Sequence, residues 1–565
     1  MSSAIYVPAA DGVKLAVDVF LPKSRPPNGK TPTLYTATRY WRAAKGKPLA
    51  QVQQEWLARG FAVVNIDVRG TGASFGQWYI PYSPQEAKDI GYIAVWIAKQ
   101  PWSDGKVIMT GNSYTGTTSL MGPAYAEGVV KAVAPKFSDW DLYTDLTFPG
   151  GIATEALAIE WGQFVHHLDL NETPPGVMPV DGANGEALVA AAVADHKLSP
   201  SSFDQAAYLV TYKDQSLRQY DGMSMEEGGV YNLQKQIERS GAPIFGWGSW
   251  LDSGIAQGLL NRFMTLTNPQ LTIIGPWTHG ARADANVFNP DENLDPSSSA
   301  QDRLIQCYLS HQAMNHKSGA HADKTLLYFT MGENKWKETH VWPIPGTRQE
   351  RYYLEVNKVL ETTLPTDSGQ DTYNVDFEAS AGPANRWSTQ ASADAPRIDY
   401  GDRSIADRKL LTYTSLPLFH DVEMTCQPVI TLRITSTATD GNFFAYLEDV
   451  APSGKTTYIT EGELRALHRK LSNSTPPYKT TYPYRTFSKH DAEALVPGRV
   501  ATLTFQLQAT SVLFRKGHRI QLAIAGADSG MFLRIPPQGD VTIHVTRGGP
   551  EPSFIDLPIV PARTG

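Results

Sequence analysis

Residues 111–116 read Gly111-Asn112-Ser113-Tyr114-Thr115-Gly116. A short apolar run of strand type, Lys106–Thr110, precedes them, and Thr117–Met121 continues without a breaker as a helix. A serine on a sharp strand-to-helix turn flanked by small residues is a nucleophile elbow, which holds the hydroxyl exposed above the sheet. The chemistry it suggests is attack by Ser113 on an acyl carbon. Such a serine needs a base within hydrogen-bond reach, and the base needs an acid that fixes its tautomer. The partners of an elbow serine follow it in the order Asp or Glu, then His. His279 lies in Gly275-Pro276-Trp277-Thr278-His279-Gly280, directly after the apolar strand Leu271–Ile274. Asp252 lies in Gly248-Ser249-Trp250-Leu251-Asp252, after the strand Pro243–Trp247. Loops beyond the carboxyl ends of parallel strands are where such sites are built.

Taken singly, each residue has a plainer reading. The elbow string occurs in many loops. A post-strand Asp is commonly a turn residue, and a His beside a Trp is commonly packed. Three post-strand residues in the required order together favour a catalytic triad. His166-His167 offers an alternative base or metal pair, but neighbouring helical residues point about 100° apart and make a poor chelate. The oxyanion needs donors as well. One is the backbone N–H of Tyr114, the residue after the nucleophile. The second must come from the loop after the strand Thr33–Thr38, which holds Arg39-Tyr40-Trp41-Arg42 and lacks a Gly-Gly pair. Either the Tyr40 phenol supplies it or Tyr40 is a packed loop aromatic.

Positioning these residues requires a parallel sheet. Val13–Phe20 alternates like a half-buried strand after an Asp11-Gly12 turn, and residues 61–66 form a near-continuous apolar strand. Gln51–Arg59 reads as a helix, as does Glu86–Lys99 with Ile90, Ile93 and Ile97 on one face. Ala132–Ala134 is a further strand after the elbow helix. Strands alternating with helices indicate an α/β fold with a doubly wound parallel sheet. The pattern breaks near Asp139. Residues 140–227 are rich in aromatics, alanine and proline, with helical pieces such as Glu186–His196. It resumes at Pro243, which points to an inserted helical cap. Residues 279–300 read as a long loop and Arg303–His316 as the last clear helix. From about residue 350 the texture is all-β, with period-two runs at Val429–Ile434, Thr502–Leu507 and Ile520–Ile524. A jelly roll or sandwich packs such strands. The expected division is a core in two parts, 1–138 and 228–345, a cap at 139–227, and a jelly-roll β-sandwich at 346–565.

Bulk properties narrow the function. The net charge of −7 and the absence of Lys/Arg runs argue against a nucleic-acid surface. No run of 18 apolar residues suggests a membrane span. The opening Met-Ser-Ser-Ala-Ile-Tyr-Val-Pro has no charged n-region or apolar h-region, so a cytoplasmic location is expected. Cys307 and Cys426 cannot by themselves make a disulfide framework or a zinc site. No metal or organic cofactor is expected.

The elbow and the two post-strand motifs are joined by Asp11-Gly12-Val13-Lys14-Leu15, Asp67-Val68-Arg69-Gly70-Thr71-Gly72-Ala73-Ser74 and Gln100-Pro101-Trp102-Ser103-Asp104-Gly105. Over nearly the whole chain this set resembles the bacterial cocaine-esterase-type hydrolases, which group with X-Pro dipeptidyl peptidases and α-amino acid ester hydrolases. The resemblance implies an α/β-hydrolase core with a helical cap and a C-terminal jelly roll. It implies Ser113 as nucleophile, Asp252 as acid, His279 as base, Tyr40 and Tyr114 as oxyanion donors, and a homodimer. It gives Asp67 and Arg69 a structural role in the loop they begin. The dipeptidyl peptidases resemble much longer chains, whereas the first core strand here begins near residue 13. The amino acid ester hydrolases carry acidic residues two and three places after the acid, where this chain has Gly254 and Ile255. A substrate ammonium would lose about 1–3 kcal/mol without them in a dry pocket. Asp141 and Asp145, at the cap entrance, either compensate in part for those acids or, as expected, are solvated. Cocaine esterase has an aromatic where Gly254 stands, so that wall is expected to be missing. Trp161, Phe164, Trp250 and Gly254 are the candidate substrate contacts, with helical-core packing the plain alternative for the two cap aromatics.

The expected activity is hydrolysis of a small-molecule ester through an acyl-enzyme. One rival is an amidase or acylase on the same triad. Another, of a different class, is a catalytically inactive carbohydrate-binding protein using the jelly roll.

Overall fold

The computed structural model describes residues 2–199, 210–218, 221–290, 296–314, 324–391 and 397–561. The first half runs β1 (Ser2–Pro8), β2 (Lys14–Phe20), β3 (Thr31–Thr38), α1 (Gln51–Ala58), β4 (Ala62–Asp67), α2 (Pro84–Ala98), β5 (Ser103–Asn112), α3 (Tyr114–Met121) and β6 (Val130–Lys136). It continues through α4 (Glu155–Asp169), α5 (Gly185–His196), α6 (Gln234–Ser240), β7 (Ile244–Ser249), α7 (Ile255–Thr265), β8 (Gln270–Gly275), α8 (Ser298–Ala313), β9 (Thr325–Thr330) and β10 (Lys335–Thr339). The strands form one sheet in the order β1-β2-β4-β3-β5-β6-β7-β8-β9-β10. From β4 to β9 neighbours are parallel, and β2 and β10 run against them. Helices cover both faces, so every residue of β4 and β7 is buried. Local signals set the helices. The Ser83 hydroxyl caps α2 by accepting from Glu86 N–H at 3.2 Å, and Ile90, Ile93 and Ile97 turn wholly into the core.

Four elements differ from expectation. The sheet begins not near residue 13 but with β1, an antiparallel edge strand whose residues are largely exposed and so show no clear apolar alternation. β9 and β10 extend the other edge beyond β8. The helix expected at 303–316 starts earlier, after Ser297, whose side chain caps it. The last two residues of that expected helix lie outside the described residues. So do 200–209 and 219–220 of the expected cap and 291–295 of the expected loop.

From Arg348 to Ile559 the chain forms a second sheet of thirteen strands among the described residues. Its pairs are antiparallel except Val359–Glu361 with Leu411–Ser415. Inward residues such as Ile430, Leu432, Phe505 and Leu522 make a core of their own, giving an all-β domain of jelly-roll type. This domain is fused to the first by a shared apolar cluster in which Trp250, Leu251 and Phe263 meet Trp387, Phe444 and Phe532.

Candidate active site

Ser113 sits between β5 and α3 with φ 60° and ψ −126°, a conformation rarely adopted by a residue with a side chain. Its surroundings enforce it. The Ser113 N–H donates to Lys136 O at 3.0 Å, and the Thr115 hydroxyl bridges Asn112, accepting from its N–H and donating to its C=O. A Cβ on Gly111 would lie 2.4 Å from the Thr115 hydroxyl, and one on Gly116 would lie 2.4 Å from Lys136 O. The two glycines therefore let the helix press against the sheet. As the first residue of α3, Tyr114 has no intrahelical acceptor for its N–H.

Asp252 follows β7 and is fully buried; His279 follows β8 and is 4 % exposed. The His279 Nδ1 lies 2.9 Å from Asp252 Oδ2. A neutral imidazole donating Nδ1–H to a carboxylate carries its lone pair on Nε2. The Ser249 hydroxyl ties the two loops together, accepting from Leu251 N–H and Trp277 N–H and donating to Trp277 O. The other Asp252 oxygen accepts from the Gln390 amide at 2.9 Å and faces the Thr389 hydroxyl at 3.4 Å. Behind these, the Arg386 guanidinium donates to Trp250 O and Ser253 O. The β domain thus holds Asp252 from one side. Nothing local in the sequence marks residues 386–390 for this, because the contact spans more than 130 positions.

Ser113, His279, Tyr40 and Tyr114 line one cavity of about 530 Å³. The Trp161 indole N–H donates to the Tyr40 oxygen at 2.9 Å. Burial, the largest influence, raises the Tyr40 pKa, while hydrogen bonding with Trp161 and Ser113 partly offsets it, so the phenol keeps its proton at neutral pH. The Tyr114 hydroxyl is held by both Glu86 oxygens, at 2.7 and 2.8 Å, and accepts from Trp78 Nε1 at 3.3 Å. Burial pushes Glu86 up to about 7. Trp161 and Phe164 of α4, with Leu146 and Leu157, form apolar walls. Asp139, Tyr82, Thr389 and Gln390 also face the cavity, and sequence reasoning did not single them out.

Several expectations need correction. Trp250 and Gly254 do not line the cavity. Trp250 is buried with its indole N–H on Phe329 O at 2.7 Å, and a Cβ on Gly254 would strike Asp145 O at 2.8 Å. The space expected at Gly254 is filled by the backbone of residue 145. Asp141 and Asp145 are not solvated but 1 % exposed. Asp141 takes an ion pair from Lys213 at 2.6 Å and the Tyr478 hydroxyl at 2.9 Å, while Asp145 accepts from two backbone N–H groups. His167 points outward to Glu172, and among the described residues no group of three or more His, Cys, Asp or Glu is placed to hold a metal ion. Asp67 accepts from Ala73 N–H and Arg42, and Arg69 pairs with Asp89 and Asp11.

A profile of the X-Pro dipeptidyl-peptidase (S15) family matches residues 11–281, and one of the X-Pro dipeptidyl-peptidase C-terminal non-catalytic domain matches residues 318–555. A protein of Mycobacterium bovis described as a serine esterase is 38 % identical over 99 % of this chain and 95 % of its own. The chain belongs to the S15 family of serine hydrolases. A second relative, the cocaine esterase of a Rhodococcus species, is 26 % identical over 99 % of this chain and 98 % of its own. The fold matches that of a Staphylococcus aureus hydrolase described as of the CocE/NonD family, with a TM-score of 0.72 at 17 % identity over 99 % and 93 % of the two chains. Among the described residues, no helix of this S15 hydrolase is long and apolar enough to cross a membrane.

Proposed function

We propose that the chain hydrolyses carboxylic esters of small molecules through an acyl-enzyme on Ser113. The observation that carries this reading is the joint placement of a strained elbow serine and a carboxylate-bound histidine at one cavity. His279 Nε2 takes the Ser113 proton as Oγ attacks the carbonyl carbon. The oxyanion is received by the Tyr40 hydroxyl and the Tyr114 N–H. Trp161 supports this role of Tyr40, because an indole only donates and so leaves the phenol proton for another acceptor. His279 then protonates the departing alcohol, and water repeats the sequence to release the acid. The scheme uses no metal or organic cofactor. A cavity of about 530 Å³ suits a compact ester with an apolar part against Trp161 and Phe164.

The test is turnover of p-nitrophenyl butyrate and of the matched p-nitroanilide by the full chain and by Ser113→Ala. Ester cleavage well above anilide cleavage, lost in the variant, is expected. Ester turnover that survives Ser113→Ala contradicts the reading, and equal cleavage of the anilide makes the enzyme an amidase.

A further inference from the structure

Asp139 faces the cavity of the proposed hydrolase, yet no step above uses it. It lies just beyond the end of β6, the strand between the elbow strand β5 and β7, and is 3 % exposed. Its Oδ2 accepts from the Thr117 hydroxyl at 3.3 Å, and its own N–H donates to that hydroxyl at 3.1 Å. The Tyr82 hydroxyl also favours its charged form. Oδ1 is buried and has no protein partner among the described residues. Among the described residues no Lys or Arg forms an ion pair with it, and the neighbouring His279 is already engaged by Asp252. Burial raises this carboxyl to about 6, so it is an anion at pH 7.5. The remaining charged side chains at the cavity are Glu160, exposed at its rim, and Arg282. Leu142, Leu146 and Leu157 make the neighbouring wall apolar. A buried carboxylate oxygen in such a wall is expensive unless a donor reaches it.

We propose that Asp139 is a specificity residue, whose Oδ1 receives an N–H or O–H donor carried by the ester, with a protonated amine as the best match. The proposal rests on the hydrolase reading of the same cavity and says which esters it prefers. A charged donor suits the site because no Lys or Arg among the described residues pairs with this carboxylate. A hydroxyl would satisfy the same oxygen less strongly.

The experiment compares two ester series by titration of released acid at pH 7.5. One is methyl butyrate, methyl 3-hydroxybutyrate and methyl 3-aminobutyrate. The other is propyl acetate, 2-hydroxyethyl acetate and 2-(dimethylamino)ethyl acetate. In the full wild-type chain, the donor-bearing esters of at least one series should exceed the plain ester in kcat/KM. Asp139→Asn should lower that ratio by on the order of tenfold to a hundredfold for the amine and less for the hydroxyl. A role confined to holding the elbow through Thr117 would slow every ester alike and leave the ratios unchanged, which overturns the proposal. The wild-type ratios decide even if the variant does not fold, since no preference in either series also overturns it. Failure here is distinguishable from failure of the hydrolase reading, because plain-ester turnover through Ser113 would persist.

Discussion

Trp161 and Tyr40 show how one side chain sets the chemistry of another. The indole N–H occupies the phenol oxygen at 2.9 Å, which leaves the phenol's single proton to point elsewhere. Tyr40→Phe is expected to lower kcat by about 10²–10³ with little change in KM, the size of a lost oxyanion donor. Trp161→Phe keeps an aromatic wall but removes the donor, and should lower kcat/KM by about two- to tenfold. Steady-state kinetics on one ester check both, and a Tyr40→Phe enzyme of full activity would remove Tyr40 from the oxyanion hole. The elbow itself was legible because its motif lies within six residues of chain, where Gly111 answers to the Thr115 side chain. The Trp161–Tyr40 bond was not, because it joins residues 121 positions apart. Trp250 and Gly254 were misread for a related reason. Sequence places a residue after a strand but not the side of the loop on which its side chain packs.

The elements around the site bear on each other through backbone as much as side chains. The α3 helix reaches β6 so closely that a Cβ on Gly116 would lie 2.4 Å from Lys136 O. Backbone cannot yield as a flexible side chain does, so Gly116→Ala should destabilise the fold by about 1–3 kcal/mol, the usual range for overpacking. Thermal denaturation measures it. An unchanged Tm would mean that α3 is not held against β6 as described. The buried strands β4 and β7 and the face of α2 could be read from composition and period alone. β1 could not, because an exposed edge strand lacks the apolar alternation that marks the others. Neither could the hold of residues 386–390 on the acid loop, which exists only once the two domains meet.

Across the whole molecule, buried carboxyls tie stability to pH. Burial is the first cause in raising Asp18 and Asp139 to about 6 and Glu86 and Glu461 to about 7. A carboxyl whose folded pKa is raised adds stability below its unfolded pKa, and that contribution is lost as pH rises through the folded value. Stability from these groups should therefore fall between about pH 4 and 7. His468 acts in the opposite sense. Burial lowers it to about 4, so its contribution is present above its unfolded pKa and lost as pH falls towards 4. With four carboxyls against this histidine, Tm should be higher at pH 5.5 than at pH 8, and Glu86→Gln should flatten part of the slope. A Tm that climbs from pH 5.5 to 8 would contradict the burial of these acids. Domain order and fold class were readable from the change of texture near residue 350, whereas the shared core between the domains was not.

The most direct test of the central claim is the mass of the intact protein after exposure to a fluorophosphonate, followed by peptide mapping. A single adduct on Ser113, absent from folded Ser113→Ala, is the predicted result. A folded wild-type chain that takes no adduct, or takes it at another residue, would contradict the account.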